Sequence, residues 1–281
     1  MHDDALARKE LAAFLRARRS RLKPNEPSGR RRTPGLRREE VAERAGISVS
    51  LYTWLEQGRL VAISSAAIDR IADALGLSED ERSYAQLLAH PSALPKRLVG
   101  HGESLPIWQS LVDGYGDGLS YVVDPTWQIL AWNDPFGYVH GLSSSSTPIE
   151  RNLIYRLFTC EWDRYADPEA TARRFVAKLR GDYAPYLGDE RFTNTIEQIS
   201  AASPRFAEFW VAHSMTPPLS IACDSIRVGT LGFYTYRSLS FPTPVGLEAG
   251  RFCIQMPEDD VSKSILRDIK RMFPRSEPSN G

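Results

Sequence analysis

One stretch constrains this chain more than any other: Arg38-Glu39-Glu40-Val41-Ala42-Glu43-Arg44-Ala45-Gly46-Ile47-Ser48-Val49-Ser50-Leu51-Tyr52-Thr53-Trp54-Leu55-Glu56-Gln57-Gly58. Its spacing predicts two short helices, Leu36 to Ala45 and Ser48 to Gln57, separated by Gly46 and ended by Gly58. Ala42 falls where two helices would cross closely, and Gly46 supplies the left-handed backbone of the turn. Ile47, Tyr52 and Leu55 then face inward, and Ser48 is placed to cap the second helix. Val49, Ser50, Thr53 and Trp54 are left on its outer face, the face a helix-turn-helix puts into the major groove. Ser50 and Thr53 can hydrogen-bond base edges, and Val49 or Trp54 can pack on a thymine methyl. Arg37, Arg38, Ser48 and Arg59 flank that face and suit phosphate oxygens. The same spacing is open to a plain αα-hairpin, and charge separates the two readings.

Formal net charge is zero, which taken alone argues against a polyanionic partner. Its distribution does not. Residues 1–100 hold 18 basic against 13 acidic side chains and the remainder 17 against 22. Between residues 8 and 38 there are 12 basic side chains against only Glu10 and Glu26. Double-stranded DNA is the partner that such a basic flank beside this motif points to.

Around the motif, Leu11, Phe14, Leu15 and Leu22 recur at helical spacing among Arg16, Arg18, Arg19 and Arg21, predicting a basic amphipathic first helix. Pro24, Pro27, Gly29, Pro34 and Gly35 then interrupt it with an arm carrying Arg30 to Arg32. Ser64 caps a further helix through Ile68, Ile71, Ala72 and Leu75, and Ser78 to Glu81 is a capping box opening a fifth. Residues 1–90 thus read as an all-α, five-helix domain and 91–106, rich in Pro and Gly, as a linker. Residues 107–275 change character, holding every tryptophan except Trp54. Strands are predicted at Leu119 to Val123, Trp127 to Trp132, Leu219 to Cys223, Arg227 to Tyr236 and Arg251 to Met256. Helices are predicted at Asn152 to Thr159, from Pro168, from Ser203-Pro204, and at Val261 to Phe273. Strands, helices and strands again give an α+β domain.

The offsets of Ala42, Gly46 and the Leu55-Glu56-Gln57-Gly58 ending resemble the helix-turn-helix family typified by phage repressors. That likeness implies that Glu56 pairs with an arginine of the first helix, here Arg19, although the 23–35 insertion departs from the short phage pattern. Over about residues 10–260 the chain is similar to MmyB-like regulators. The likeness is carried by Arg31 to Ala42, Tyr52 to Arg59, Ala131-Trp132-Asn133, Arg151-Asn152-Leu153 to Phe158, Ser203-Pro204-Arg205-Phe206 and Trp210-Val211-Ala212-His213. It implies a PAS-like domain, an antiparallel sheet covered by helices, with a fatty-acid-like ligand and no other cofactor. Asn133, Arg151, Trp210 and His213 are the ligand candidates of the matched motifs, Arg151 being able to grip a carboxylate with two donors. For Asn133, Arg151 and His213, capping, a surface ion pair and a satisfied core histidine stay open as alternatives. Where the family has a basic strand and a His-Pro pair, this chain has Ala222-Cys223-Asp224-Ser225-Ile226-Arg227.

Cys160, Cys223 and Cys253 stand far apart and read as buried free thiols, and neither they nor the five histidines have metal-ligand spacing. No nucleophile elbow, phosphate loop, dinucleotide fingerprint or His-Glu-x-x-His motif points to an enzyme. The N-terminus lacks a secretory pattern, and no run of about 18 apolar residues predicts a membrane span. The reading is a cytoplasmic, homodimeric DNA-binding regulator with a ligand-responsive C-terminal domain. The alternative is a C-terminal domain that only dimerises or binds protein partners.

Overall fold

The computed structural model describes residues 2–22, 35–90, 105–212, 223–243 and 250–273. The arm at 23–34, most of the linker, His213 and the 219–222 part of a predicted strand lie outside the described residues. Two compact units divide the chain, one of Met1–Arg97, Val176–Ile196 and Ala207–Pro217, the other of Leu98–Phe175, Glu197–Phe206 and Pro218–Gly281.

In the first unit, α1 (His2–Arg21), α2 (Arg38–Ala45), α3 (Val49–Glu56), α4 (Ser65–Ala74) and α5 (Glu79–Ala89) are the five helices expected. Helix α1 packs on α3 and α5, α2 on α3 and α4, and α4 on α5. Their shared core holds Leu11, Phe14, Leu15, Val41, Ala42, Tyr52, Leu55, Ile68, Ile71 and Tyr84, with Phe14 edge-on to Tyr84 at 5.3 Å. Gly46 sits at φ 61° and ψ 39°, and a Cβ there would meet nothing within 4 Å, so backbone conformation and not space demands glycine. Ser48, Ser64 and Ser78 accept from Leu51, Ala67 and Glu81 N–H respectively, each capping as expected.

The second unit begins with α6 (Leu105–Gly114), followed by β1 (Leu119–Val123), β2 (Ile129–Trp132), α7 (Asp134–His140) and α8 (Leu153–Thr159). Helices α9 (Pro168–Tyr183), α10 (Glu190–Ala202) and α11 (Pro204–Val211) come next in the chain, their Val176–Ile196 and Ala207–Val211 portions belonging to the first unit, and the second unit resumes with β3 (Cys223–Val228), β4 (Gly232–Pro242), β5 (Arg251–Pro257) and α12 (Asp260–Met272). The sheet is antiparallel throughout in the order β2-β1-β5-β4-β3. Alternation along β1 splits its side chains between two layers. Val122, with Ala131 of β2, meets Trp108 and Val112 of α6, whereas Tyr121 stacks on Phe136 of α7 at 4.3 Å. This is the α+β, PAS-like arrangement of an antiparallel sheet covered by helices.

Several sequence boundaries move, each for a local reason. Strand β2 starts at Ile129 and not Trp127, because Asp124 Oδ1 accepts from Thr126 N, Thr126 Oγ1 and Gln128 N and holds Trp127 at φ 67°. The single strand expected over Arg227 to Tyr236 is a hairpin: Gly229 and Gly232 both have positive φ, and Leu231 N–H donates to Val228 O. Helices α6, α7 and α10 were not anticipated. Of the three thiols only Cys253 is buried; Cys160 and Cys223 are exposed.

An arginine far away in sequence completes the first unit. Arg180, with no exposed surface, pairs with Glu10 of α1, donates to Trp210 O and lies 4.1 Å from the Trp210 ring centroid. Tyr84 Oη donates to the same Glu10 oxygen at 2.8 Å, and burial followed by that carboxylate raises the Tyr84 pKa well above its ordinary value. Ala177, Ala184 and Leu187 join the core beside it. Removing one partner of a buried pair strands the other, so Arg180→Met is expected to cost about 3 kcal/mol. Hydrogen exchange in α1 and α5 should accelerate accordingly and be partly restored in the Glu10→Gln/Arg180→Met double variant; unchanged protection would remove this role from Arg180.

Candidate functional site

The outward face of α3 carries the residues that the spacing selects. Val49 is 41% and Trp54 42% exposed. Ser50 is exposed with them, and Thr53 is half-buried at the edge. Tyr52 and Leu55 point into the core and Ile47 is partly buried against it, so the inward set is the one the sequence indicates. Arg37 and Arg59 are exposed on either side of α3 in the chain. The backbone N–H of Arg37 donates to Glu40 Oε2 at 2.6 Å, leaving the Arg37 guanidinium outside that bond. Ser48 is exposed, but its hydroxyl oxygen accepts from Leu51 N at 3.1 Å, so capping comes before any phosphate.

What holds α3 is a buried carboxylate. Glu56, the last residue of α3, is 1% exposed. Arg19 donates Nε to its Oε1 at 2.5 Å and Nη2 to its Oε2 at 3.0 Å, while Arg19 Nη1 donates to Leu36 O at 2.8 Å. Arg19 is thus the first-helix partner that the phage-repressor likeness implies. Arg38, expected at a phosphate, donates Nε to Glu56 Oε2 at 2.6 Å. Burial pushes the Glu56 pKa up, but the hydrogen bonds and charges of Arg19 and Arg38 outweigh it and hold it below the ordinary carboxylate value. A second arginine that sequence reasoning missed, Arg70 of α4, donates Nε to Ala45 O at 3.0 Å and closes the end of α2 beside the turn.

Each described ligand candidate has partners of its own. Asn133 is buried and its amide is occupied: Oδ1 accepts from Phe136 N and Ser120 N, both at 3.1 Å, and Nδ2 donates to Gly118 O at 3.0 Å. It caps α7 and braces β1. Arg151 lies over the Trp132 ring at 5.6 Å and donates Nη2 to Ser144 O, with its buried Nε unpartnered. Trp210 belongs to the first unit, under Arg180 and edge-on to Tyr183. His213 is outside the described residues.

The second unit instead buries polar clusters with no local sequence signal. Glu161, fully buried, accepts from His140 Nδ1 and Arg156 Nε, both at 3.0 Å. Burial raises its pKa, and His140, Arg156 and Arg164 reverse this to a net lowering. Asp224, which stands in the stretch that departs from the family pattern, is buried and bound by Thr171 Oγ1 at 2.8 Å and by Arg174. Among the described residues no cluster of His, Cys, Asp and Glu could hold a metal ion, and no helix is long and apolar enough to cross a membrane.

Comparison with known families matches residues 10–85 to a helix-turn-helix domain. It matches residues 106–268, more than half of the chain, to the MmyB-like transcription regulator ligand binding domain. The chain belongs to the MmyB-like transcription regulators. The helix-turn-helix domain together with the family's ligand-binding type of domain makes this MmyB-like protein a DNA-binding transcription regulator. Comparison with curated proteins gave no match.

The depressed pKa of Glu56 has a pH consequence with a definite sign. On acidification the unfolded chain binds its proton first, so the stability that ionised Glu56 contributes is complete above the ordinary carboxylate range. It is lost as pH falls through the lower native value. Urea midpoints measured between pH 7 and 3 should therefore decline less steeply in Glu56→Gln than in the natural chain, over that acidic window. Parallel declines would show that Glu56 does not carry the effect.

Proposed function

We propose that this DNA-binding transcription regulator is sequence-specific, reads its operator in the major groove with α3, and acts as a cytoplasmic homodimer without catalytic activity. The observation that carries the reading is the outer face of α3. Val49, Ser50, Thr53 and Trp54 leave a helix whose inner face is packed into a core and whose end is locked through Glu56. Such a face offers two hydroxyls for base edges and two apolar groups for thymine methyls. Arg37 and Arg59 serve as phosphate contacts, and Ser48 through its exposed position at the start of the helix. A single short helix reads few base pairs, which supports a dimer on a palindromic site.

Control is assigned to a ligand of the 106–268 region, which the family's description supports, and the resemblance of the matched motifs implies a small apolar, fatty-acid-like one. Such a ligand would shift the population between two arrangements of the regulator. Of the described ligand candidates, Arg151 keeps an unpartnered buried Nε to offer a carboxylate. A second reading, in which this unit only dimerises or binds a protein, is favoured by one observation. Ile107 and Leu111 stand exposed one turn apart on α6 while Trp108 and Val112 carry its packing.

For the DNA face, the Ser50→Ala/Thr53→Ala double variant should lose the preference for operator over random duplex while keeping non-specific binding. Arg37→Ala should weaken both and flatten the dependence of log affinity on log salt by about one unit. Unchanged operator preference in the double variant would move the reading face elsewhere. For the ligand, native against denaturing mass spectrometry of the full chain should release an acyl-chain mass on unfolding. No released mass, with no thermal shift across a panel of fatty acids, would select the ligand-independent reading.

A further inference from the structure

Of the three arginines beside the recognition helix that suit a phosphate, Arg37, Arg38 and Arg59, Arg38 differs in what its side chain touches. Arg37 and Arg59 are exposed, whereas Arg38 turns Nε onto Glu56 Oε2 at 2.6 Å and remains only partly exposed. Glu56 already receives both bonds of the Arg19 fork, which neutralise its charge. A second arginine is not needed for neutrality. What it adds is a tie between two particular points, the first residue of α2 and the last residue of α3.

That placement has leverage. Helices α2 and α3 are eight residues each and meet at the Gly46 turn, so at about 1.5 Å per residue their far ends lie roughly 12 Å along each helix from the joint. The turn itself controls the opening angle weakly, since a small dihedral change there swings the whole arm. A bond between the far ends fixes the angle: on an arm of about 12 Å, a slip of about 1 Å corresponds to roughly 5°. Arg19 links Glu56 to α1 and to Leu36 O, but Leu36 lies two residues ahead of α2, so Arg38 makes the tie from within α2 itself. Arg70 secures only the end of α2 next to the joint.

The geometry points to Arg38 as a positioning residue for the recognition helix, setting the angle between α2 and α3 through Glu56 and not serving as a phosphate contact. The inference rests on α3 being the helix that reads DNA. Thr53 and Trp54 lie in the half of α3 nearest the tie and Val49 and Ser50 nearest the joint, so loosening the tie displaces Thr53 and Trp54 most. Discrimination at the base pairs they face should relax first.

The test compares full-length Arg38→Ala and Arg37→Ala on operator and random duplexes over a salt series, with hydrogen exchange of residues 49–58 measured without DNA. Arg38→Ala is expected to lower operator affinity about tenfold, the scale of losing one charge-assisted bond. Random-duplex affinity and the salt slope should stay nearly unchanged, and exchange in the last turn of α3 should accelerate. Arg37→Ala should show the reverse, with a slope smaller by about one unit and exchange unaffected. Equal losses on both duplexes with a reduced slope and unchanged exchange would make Arg38 a phosphate contact and overturn the proposal, as would no effect at all. If Arg38→Ala does not fold, Arg38→Gln, which keeps a donor but not the charge, carries the same comparison. Failure of the natural chain to bind any duplex would refute the DNA reading, while the exchange data would still decide whether Arg38 holds α3.

Discussion

An ionised carboxylate buried to the extent of Glu56 is stable only if its oxygens are filled with donors, and the donors here come from two other helices. Satisfying that one group obliges α1 to bring Arg19, α2 to bring Arg38, and α3 to end where Glu56 can meet both. The apolar core beneath, with Tyr52 and Leu55 from the same short helix, would tolerate many small rotations of α3, because apolar packing is non-directional. The carboxylate does not tolerate them, since charge-assisted hydrogen bonds have preferred lengths and angles. Orientation of the DNA-facing side chains thus depends on a polar interaction, while burial of the helix depends on an apolar one.

The second unit repeats the device. Its sheet and helices are joined by apolar contacts, Tyr121 on Phe136 and Trp108 on Val122 among them, yet its fixed points are charged. Glu161 gathers His140, Arg156 and Arg164, and Asp224 of β3 gathers Thr171 and Arg174 of α9. Removing the carboxylate of Glu161 or Asp224 would leave buried Arg156 or half-buried Arg174 without its counter-charge, which is why such clusters are costly to disturb and specify one arrangement. The departure from the family pattern around Ala222 to Arg227 takes on a physical meaning here, since Asp224 is bound within the fold and not offered to a ligand. Asn133 has the same fate. Its bonds from Phe136 N and Ser120 N and to Gly118 O and Tyr115 O occupy its amide, and among the described matched polar residues this leaves Arg151 with a donor to spare.

Legibility followed the range of the forces involved. The five helices of the first unit, the caps at Ser48, Ser64 and Ser78, and the outward set Val49, Ser50 and Trp54 could be read directly, because each depends on neighbours within about one helical turn. The Arg227 to Tyr236 run reads as one strand because its composition is strand-like on both sides of a turn, and the positive φ of Gly229 and Gly232 divides it. Helix α6 was hidden by the prolines and glycines before it and by its burying only Trp108 and Val112.

By itself, then, the sequence determined the helix-turn-helix, its inward and outward faces, the antiparallel α+β character of the second half and the family. All of these are properties of local propensity, spacing and composition. Tertiary structure alone decided that Arg38 turns to Glu56, that Arg180 enters the core beside Glu10 and Tyr84, and that Asn133 and Trp210 have structural partners. An arginine's long side chain can reach a phosphate, a carboxylate or an aromatic ring equally well. Which one it meets is settled by the packing that brings distant residues within a few ångströms, and spacing along the chain carries no record of that.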